Sequence, residues 1–304
     1  MDRPLLIADV PWLLYRSFFA LPKSITDAEG HPVNALLGTV NAILAILETG
    51  SPAARPRAVV ACTGAEQAAY RVRLYPPYHA HRDPMPAELA EQWQKAPALL
   101  QGLGWTVAGS EDLEADDVMF SFAGAEQERE GEALLLTGDR DLYGAVSERV
   151  AVAELRKGGA YGEIGPTQVR ERYGVDPAQV PDFIALRGDP SDGLPGAQGI
   201  GAKTAAELLR RHGTLEALIA AAEQAREAAL PDRACAAAGM RPRIAATLTE
   251  NAELLQTFKL IATLQPIEVA SPPDRPTDHA GGSRAAAAMG MRRLSERLAT
   301  LATG

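Results

Sequence analysis

The chain has 304 residues, enough for two domains that each bury their own core. Its 46% hydrophobic and 23% charged residues are ordinary for a soluble globular protein. Two cysteines far apart exclude a disulfide framework and a cysteine-rich zinc site. Asp9 interrupts the first apolar run and polar residues interrupt the longest uncharged one, so we expect neither a signal peptide nor a membrane span, and a cytoplasmic location.

The net charge of −9 argues at first against nucleic-acid binding, because proteins that bind nucleic acids are usually basic. The count misleads if the acidic residues cluster at a metal site, where bound cations reverse the local charge. Most of the 30 basic residues are arginine, the side chain suited to forked phosphate contacts. Composition alone therefore leaves both possibilities open.

Three apolar runs predict buried strands: LLIAD from residue 5, RAVVACT from residue 57, and the ALLL of EALLLTGDRDLYGAV. Between them, PVNALLGTVNAILAIL and EADDVMFSFAGAEQERE have helical spacing. Strands that alternate with helices predict an α/β fold, in which a mostly parallel sheet has helices on both faces. Ligands of such sheets bind beyond the carboxyl ends of the strands, where Asp9 and Asp139 stand.

The pattern changes after about Gly165. The segments PTQVRERYG, DFIALRG, KTAAELLRRHG and TLEALIAAAEQA predict short helices, and the next candidate strand is LQPIEV. From Ser271 the sequence is rich in Pro and Gly, which predicts a mobile tail with a short basic helix at its end. We therefore expect a catalytic domain over 1–165, a helical domain over 166–270 and a tail over 271–304.

Eight acidic residues stand at predicted strand ends, a helix start and loops. Each alone could cap a turn or complement a helix dipole. Together they predict a site for hard divalent cations, because Mg²⁺ binds carboxylate oxygens and two such ions can clamp a displacement at phosphorus. The predicted ligands are Asp9, Glu114, Asp116, Asp117, Asp139, Asp141, Asp189 and Asp192.

Two further segments suit a phosphodiester. AAYRVRLYPPYHAHR interleaves basic and aromatic side chains, which can hold phosphates and stack bases. RGDPSDGLPGAQGIGAKTAAELL places two carboxylates ahead of a glycine-rich helix start, whose free N–H groups bind phosphate. A metal-bound phosphodiester is a ligand that satisfies both properties.

The order LLIAD…YRSFFALP, YRVRLYPPYHAHR, EADDV, TGDRDLYGAV and ALRGDPSDGLPGAQGIGAKTAAELL resembles the bacterial 5′ nuclease family. That family includes the 5′→3′ exonuclease domain of DNA polymerase I and free-standing flap endonucleases. The resemblance runs collinearly over about residues 5 to 265, and its last two blocks are highly specific. It implies a PIN-like nuclease core followed by a helix–three-turn–helix DNA-binding module.

The resemblance also implies how the residues divide their roles. Asp9, Glu114 and Asp116 would hold mainly one metal ion, and Asp139, Asp141, Asp189 and Asp192 mainly a second, with Asp117 in support. Arg71, Arg82 and His79 would lie near the scissile phosphate. The implied DNA-binding residues are Arg16, Arg73, Tyr78, Gly199, Gly201, Lys203 and Thr204. The implied cofactors are two Mg²⁺ or Mn²⁺ ions, with K⁺ in the helical hairpin.

Three positions depart from the family pattern. Thr63 follows the second strand where an Asp is expected, His79 replaces a Lys, and Val10 replaces a Gly. A missing outer carboxylate weakens a metal site without emptying it, and a histidine is charged only part of the time near neutral pH. The departures indicate weakened or specialised catalysis.

The sequence favours a metal-dependent 5′→3′ exonuclease and flap endonuclease that acts on DNA with flaps, nicks or free 5′ ends. Because no polymerase sequence is present, we expect the chain to act alone or beside a separate DNA polymerase. A branched-DNA binding protein with impaired catalysis is the alternative from another class. An RNA-directed nuclease of similar fold stays open, because metal-ion chemistry does not itself select the sugar.

Overall fold

A computed structural model describes residues 3–49, 55–156 and 160–303. Its strands are β1 Leu5–Asp9, β2 Ala58–Cys62, β3 Thr106–Ala108, β4 Ala133–Leu136, β5 Val150–Leu155 and β6 Tyr161–Ile164. They form one sheet in the order β3-β2-β1-β4-β5-β6, in which only β6 pairs antiparallel. The predicted mostly parallel sheet is confirmed.

The three strands predicted from the sequence are the adjacent inner strands β2, β1 and β4. Every residue of these strands is buried, because both faces of the sheet are covered. Their sequences are consequently continuous apolar runs, which is typical of central parallel strands. The strands β3, β5 and β6, which flank these three, were not predicted, since they carry half-buried or exposed residues and lack that signal.

Helices cover both faces of the sheet. The first half of the chain forms α1 Val10–Ala20, α2 Asn34–Glu48, α3 Ala69–Leu74, α4 Ala87–Gly102 and α5 Ala115–Glu128. The face with α1, α2 and α4 has one apolar core, and the face with α5 has a second core that continues into the helices that follow the sheet. None of the helices in the described ranges is long and apolar enough to span a membrane.

The chain after the sheet is helical, as predicted. Its helices are α6 Pro166–Tyr173, α7 Val180–Arg187, α8 Ala202–His212, α9 Leu215–Glu227, α10 Pro231–Ala237, α11 Pro242–Glu250 and α12 Ala252–Ala262. The strand predicted at LQPIEV is wrong, because residues 264–269 pair with no strand. That segment instead crosses α5, where the N–H of Gln265 donates to Asp117 at 2.8 Å and that of Ile267 to Ser121 at 2.9 Å.

Residues 279–303 differ from the expected mobile tail. They form α13 His279–Ala288 and α14 Arg292–Thr303, of which α14 is the short helix predicted at the end. The helix α13 packs on α4 and on α14. Leu294 and Leu298 of α14 are buried in the same core as α1 and α2. Just before α13, the indole N–H of Trp105 donates to the Thr277 hydroxyl at 2.9 Å. The Pro/Gly composition misled the prediction because the apolar spacing of α14 is enough to dock it.

A buried arginine ties the segment before α13 to the sheet. Arg57 is 6% exposed and forms two hydrogen bonds with Glu126, at 2.6 and 3.1 Å. It also donates to the Pro272 carbonyl at 2.7 Å, the Ser271 hydroxyl at 2.7 Å and Asp274 at 3.2 Å. One guanidinium thus joins the start of β2, the end of α5 and the 271–274 segment.

Arg57→Ala is expected to lower the free energy of unfolding by about 3–5 kcal/mol, because it leaves Glu126 buried without its main partner. Arg3→Ala is the matched control, since Arg3 pairs with Asp274 at the surface, where both side chains are at least 45% exposed. That change should cost less than about 1 kcal/mol. Urea unfolding measures the free energy of unfolding of both variants. Equal effects would contradict the role of Arg57 in joining β2, α5 and the 271–274 segment.

Candidate active site

A cavity of about 710 Å³ opens beyond the carboxyl ends of β1 and β4, between the sheet and the helical module. Ligands of parallel sheets bind in this position. Six of the eight predicted carboxylates line it: Asp9, Glu114, Asp116, Asp139, Asp141 and Asp192. The structure therefore brings together carboxylates that are up to 183 positions apart in the sequence.

The end of each inner strand fixes its carboxylate. Asp9 ends β1 and caps α1 by accepting the N–H of Trp12 at 3.0 Å. Its other oxygen accepts the hydroxyl of Thr137 at 2.7 Å, and the Thr137 oxygen accepts the N–H of Asp139 at 3.0 Å. Thr137 thus hydrogen-bonds to both Asp9 and Asp139, two predicted metal ligands that follow neighbouring strands. No feature of the sequence indicated this role for Thr137.

The charged forms of four cavity carboxylates are unfavourable in the protein unless a cation binds. Burial raises the pKa of Asp9 to about 7 and that of Asp139 to about 6, and neighbouring carboxylates add to both shifts. Burial and the charge of Asp139 raise the pKa of Asp116 and Asp141 well above the ordinary value. None of these four carboxylates has a cationic side chain within 4.0 Å among the described residues. Hard oxygen donors with uncompensated negative charge fit divalent cations such as Mg²⁺ or Mn²⁺.

The carboxylates of the cavity lie near one another but do not form a complete coordination shell for a metal ion. Across the described ranges, no three His, Cys, Asp or Glu side chains are arranged to hold one ion. Two cavity carboxylates face protein partners instead. Glu114 accepts the Tyr78 hydroxyl at 3.0 Å and lies 3.3 Å from Arg71, and Asp192 bonds to His79 and Arg82. His79 and Arg82 both bond to Oδ1 of Asp192, so its Oδ2 has no hydrogen bond among the described residues and stays available to an ion.

Arg71 is not placed for the predicted phosphate contact, and Asp117 lies behind the cavity, where it supports Arg71 instead of lining the metal site. Asp117 is fully buried outside the cavity lining, and both its oxygens accept from the guanidinium of Arg71 at 2.8 Å. Arg71 is 3% exposed and also donates to the Ile261 carbonyl at 3.0 Å. Burial lowers the pKa of Arg71, but Glu114 and Asp117 raise it above its ordinary value. The pair joins α3, α5 and α12, and Arg71 has little capacity left for a phosphate.

Asp189 stands in a closed loop beside the cavity rather than in its lining. Its backbone exchanges two 2.8 Å hydrogen bonds with Leu194, and its carboxylate accepts the N–H and the hydroxyl of Ser191. Gly188 and Gly196 both have positive φ, and a Cβ on either would lie within 3.0 Å of the other strand of the loop. Only glycine permits this close turn, which presents Asp189 and Asp192 towards the sheet.

The basic segment separates into buried and exposed residues. Tyr78 is 3% exposed with its hydroxyl on Glu114, so it is not available for the predicted base stacking. Burial and the charge of Glu114 raise the pKa of that hydroxyl. His79 is 2% exposed, which excludes the predicted contact with a phosphate in this conformation. Arg73 and Arg82 are exposed and remain candidates for DNA contacts.

Thr63 does not point to the acidic cavity. Side chains alternate along a strand, and Cys62 lies in register with Asp9, so Thr63 faces the opposite side of the sheet. Its hydroxyl bonds to the Ala108 carbonyl at 3.2 Å and lines a separate cavity of about 240 Å³. Thr63 thus lies outside the lining of the acidic cavity, and its effect on the metal site stays a prediction.

The start of α8 lies open to solvent, as a backbone-binding helix start requires. Gly199, with a φ of +83°, and Gly201, which caps the helix, have no atom within 4 Å of an added Cβ. Lys203 is exposed and Thr204 is half-buried in the first turn. Together they leave the first N–H groups of α8 accessible.

Aromatic residues form a wall of the cavity that the sequence analysis missed. Trp12, Tyr15 and Phe19 share one face of α1, and Tyr15 contacts Trp93 of α4 edge to face with ring centroids 6.3 Å apart. Phe19 is 70% exposed, and the exposed Arg16 lies 5.7 Å from the Trp12 ring. The signal was the helical spacing of these aromatic residues directly after Asp9.

The α/β core has an acidic cavity at its strand ends and is followed by a helical module. This arrangement is typical of phosphodiesterases whose active sites are rich in carboxylates. The family model for the 5′-3′ exonuclease N-terminal resolvase-like domain matches residues 4–174, and that for the 5′-3′ exonuclease C-terminal SAM fold matches residues 175–273. The chain belongs to the 5′-3′ exonuclease family.

Individual relatives agree with this assignment. A 5′-3′ exonuclease of Mycobacterium tuberculosis is 34% identical over 296 residues, covering 90% of this chain and 89% of that protein. The thermostable DNA polymerase I of Thermus thermophilus is 42% identical over 70% of this chain, and the match covers 25% of that protein. The matched part of the chain thus corresponds to about a quarter of the length of the polymerase.

Solved structures share the fold. The T5 5′-exonuclease with bound zinc ions aligns with a TM-score of 0.62 at 16% identity, covering 99% of this chain and 100% of that chain. The catalytic core of Rad2 in complex with a DNA substrate aligns with a TM-score of 0.62 at 13% identity, covering 99% and 92%. At these identities the likeness establishes the fold, including the helical module.

Proposed function

We propose that this 5′-3′ exonuclease family member hydrolyses phosphodiesters at free 5′ ends, nicks and flaps of DNA with two divalent ions, Mg²⁺ or Mn²⁺. The observation that carries the proposal is the cavity in which four carboxylates without cationic partners in the described ranges meet beyond β1 and β4. Two ions bound there would activate the attacking water and hold the leaving oxygen.

The residues of the chain supply the remaining functions. Asp9 and Asp116 are the proposed carboxylates nearest one ion, and Asp139 and Asp141 those nearest the other. Arg82, 45% exposed at the rim, would stabilise the charge that develops on the phosphate. Arg71 acts indirectly, because it fixes Glu114 in the cavity lining and Asp117 behind it.

The test is cleavage of labelled flap, nicked and single-stranded DNA by the pure protein with Mg²⁺ or Mn²⁺. Short products from the 5′ end that disappear with EDTA support the proposal. Metal-dependent binding of flap DNA without any product would instead identify a branched-DNA binding protein. Products from RNA but not from DNA would reassign the substrate.

The start of α8 is proposed to bind duplex DNA. The residues that would contact the DNA backbone are Gly199, Gly201, Lys203 and Thr204. K⁺ is proposed as a further ligand of this helix start. Lys203→Ala is expected to weaken binding equally across sequences and to reduce the salt slope by about one, because one phosphate contact is lost. Glu207→Ala, an exposed change one turn on, is the control. Fluorescence anisotropy in EDTA measures both, and a loss restricted to particular sequences would contradict the assignment.

A further inference from the structure

The segment that carries His79 docks on the loop that carries Asp192. The N–H of His79 donates to the Asp192 carbonyl at 3.1 Å, and its ring Nε2 lies 2.9 Å from the Asp192 carboxylate. The approach is close enough that a Cβ on Gly193 would lie 3.0 Å from the Pro77 carbonyl. The backbone and the side chain of His79 thus both bond to Asp192, one of the predicted metal ligands.

The same segment reaches the carboxylate on the opposite wall. The ring of Tyr78 stacks on that of His79, with centroids 3.9 Å apart and planes 21° apart. The Tyr78 hydroxyl donates to Glu114 at 3.0 Å. The stacked pair therefore spans from Glu114 at the start of α5 to Asp192 in the helical module, which are carboxylates proposed for different ions.

The environment of His79 suits a residue that orients another side chain rather than one that contacts the substrate. It is 2% exposed, and its Nδ1 is buried without a hydrogen-bond partner among the described residues. Its φ of +55° lies in the left-handed region, which few non-glycine residues adopt. Arg82, three residues on, is exposed and able to meet a phosphate.

We propose that His79 is a positioning residue whose ring, stacked on Tyr78, sets where the Asp192 carboxylate stands relative to Glu114 and so fixes the second metal position. The inference rests on the proposed function and adds Asp192 to the ligands of the second ion, as the family resemblance implies. It replaces the direct contact between His79 and phosphate with an action through Asp192.

The experiment is a calorimetric titration of the intact chain with Mn²⁺ in the absence of DNA. We expect His79→Ala to weaken one of two Mn²⁺ sites by about 10–100-fold, the usual effect of removing a residue that orients a ligand. His79→Gln keeps a nitrogen donor and should recover most of that affinity. His81→Ala, an exposed histidine in the same segment, should leave the titration unchanged.

Binding of a 5′-flap duplex in EDTA, measured by anisotropy, separates this role from a phosphate contact. A positioning residue leaves that affinity unchanged in His79→Ala, whereas a phosphate contact lowers it. Unchanged Mn²⁺ binding in His79→Ala would overturn the inference, as would a wild-type protein that binds no Mn²⁺. Two Mn²⁺ sites in a wild type that cleaves nothing would remove the nuclease proposal alone, because the metal titration does not depend on cleavage.

Discussion

Asp116→Asn and Asp139→Asn are each expected to reduce cleavage by at least about 10³-fold, which corresponds to roughly 4 kcal/mol of lost transition-state stabilisation. An amide is a neutral and weaker ligand for a hard cation, so each change removes one of the charged donors that hold the ions at the reacting phosphate. Duplex binding should persist, because the α8 start lies outside the cavity.

The same variants should be as stable as wild type, or more stable, without metal. Burial and neighbouring carboxylates raise the pKa of Asp116 and Asp139, which means that their charged forms are unfavourable in the folded chain. Asp112→Asn is the matched control, since Asp112 is exposed ahead of α5 and should affect neither property. Cleavage of labelled flap DNA and urea unfolding in EDTA measure the two effects. Wild-type cleavage by either variant would disprove the metal assignment.

The sequence predicts the position of the site better than its internal contacts. Fully buried strands produce continuous apolar runs, so β1, β2 and β4 could be found, and the rule that ligands bind beyond their carboxyl ends placed Asp9 and Asp139 correctly in one cavity. The helix start at Gly201 was equally visible, because Gly and a change of periodicity mark it.

Side-chain partners could not be predicted, because they depend on packing between segments far apart in the chain. Arg71 was interpreted as a phosphate contact, yet its partners Asp117 and Ile261 lie 46 and 190 positions away. The orientation of Thr63 away from the acidic cavity was unpredictable for a local reason: a shift of one residue along a strand reverses the face of the sheet. The register of Asp9 with Cys62, which decides this, is a property of the sheet and not of either strand alone.

The stability of the metal-free protein is expected to fall as pH rises from about 4 through about 7. The folded-state pKa of Asp9, about 7, and that of Asp139, about 6, both lie above the ordinary value of 3.8. A carboxyl whose folded pKa is raised contributes stability below its unfolded pKa and loses it as pH rises through the folded value. For Asp9 alone the shift corresponds to a loss of roughly 4 kcal/mol, and Asp116 and Asp141 shift in the same direction.

Divalent cations should reverse this loss, because they bind the deprotonated carboxylates of the folded chain and stabilise it by mass action. We therefore expect Mg²⁺ to raise the melting temperature strongly at about pH 8 and hardly at all at about pH 5, where protons compete for the same oxygens. Asp9→Asn should flatten the pH dependence in EDTA and reduce the rise with Mg²⁺, whereas Asp112→Asn should leave both intact. Scanning calorimetry of the three proteins across this pH range, with EDTA or excess Mg²⁺, measures each effect. A wild-type protein that is most stable at the alkaline end in EDTA would show that the cavity carboxylates are not held close together in the folded state.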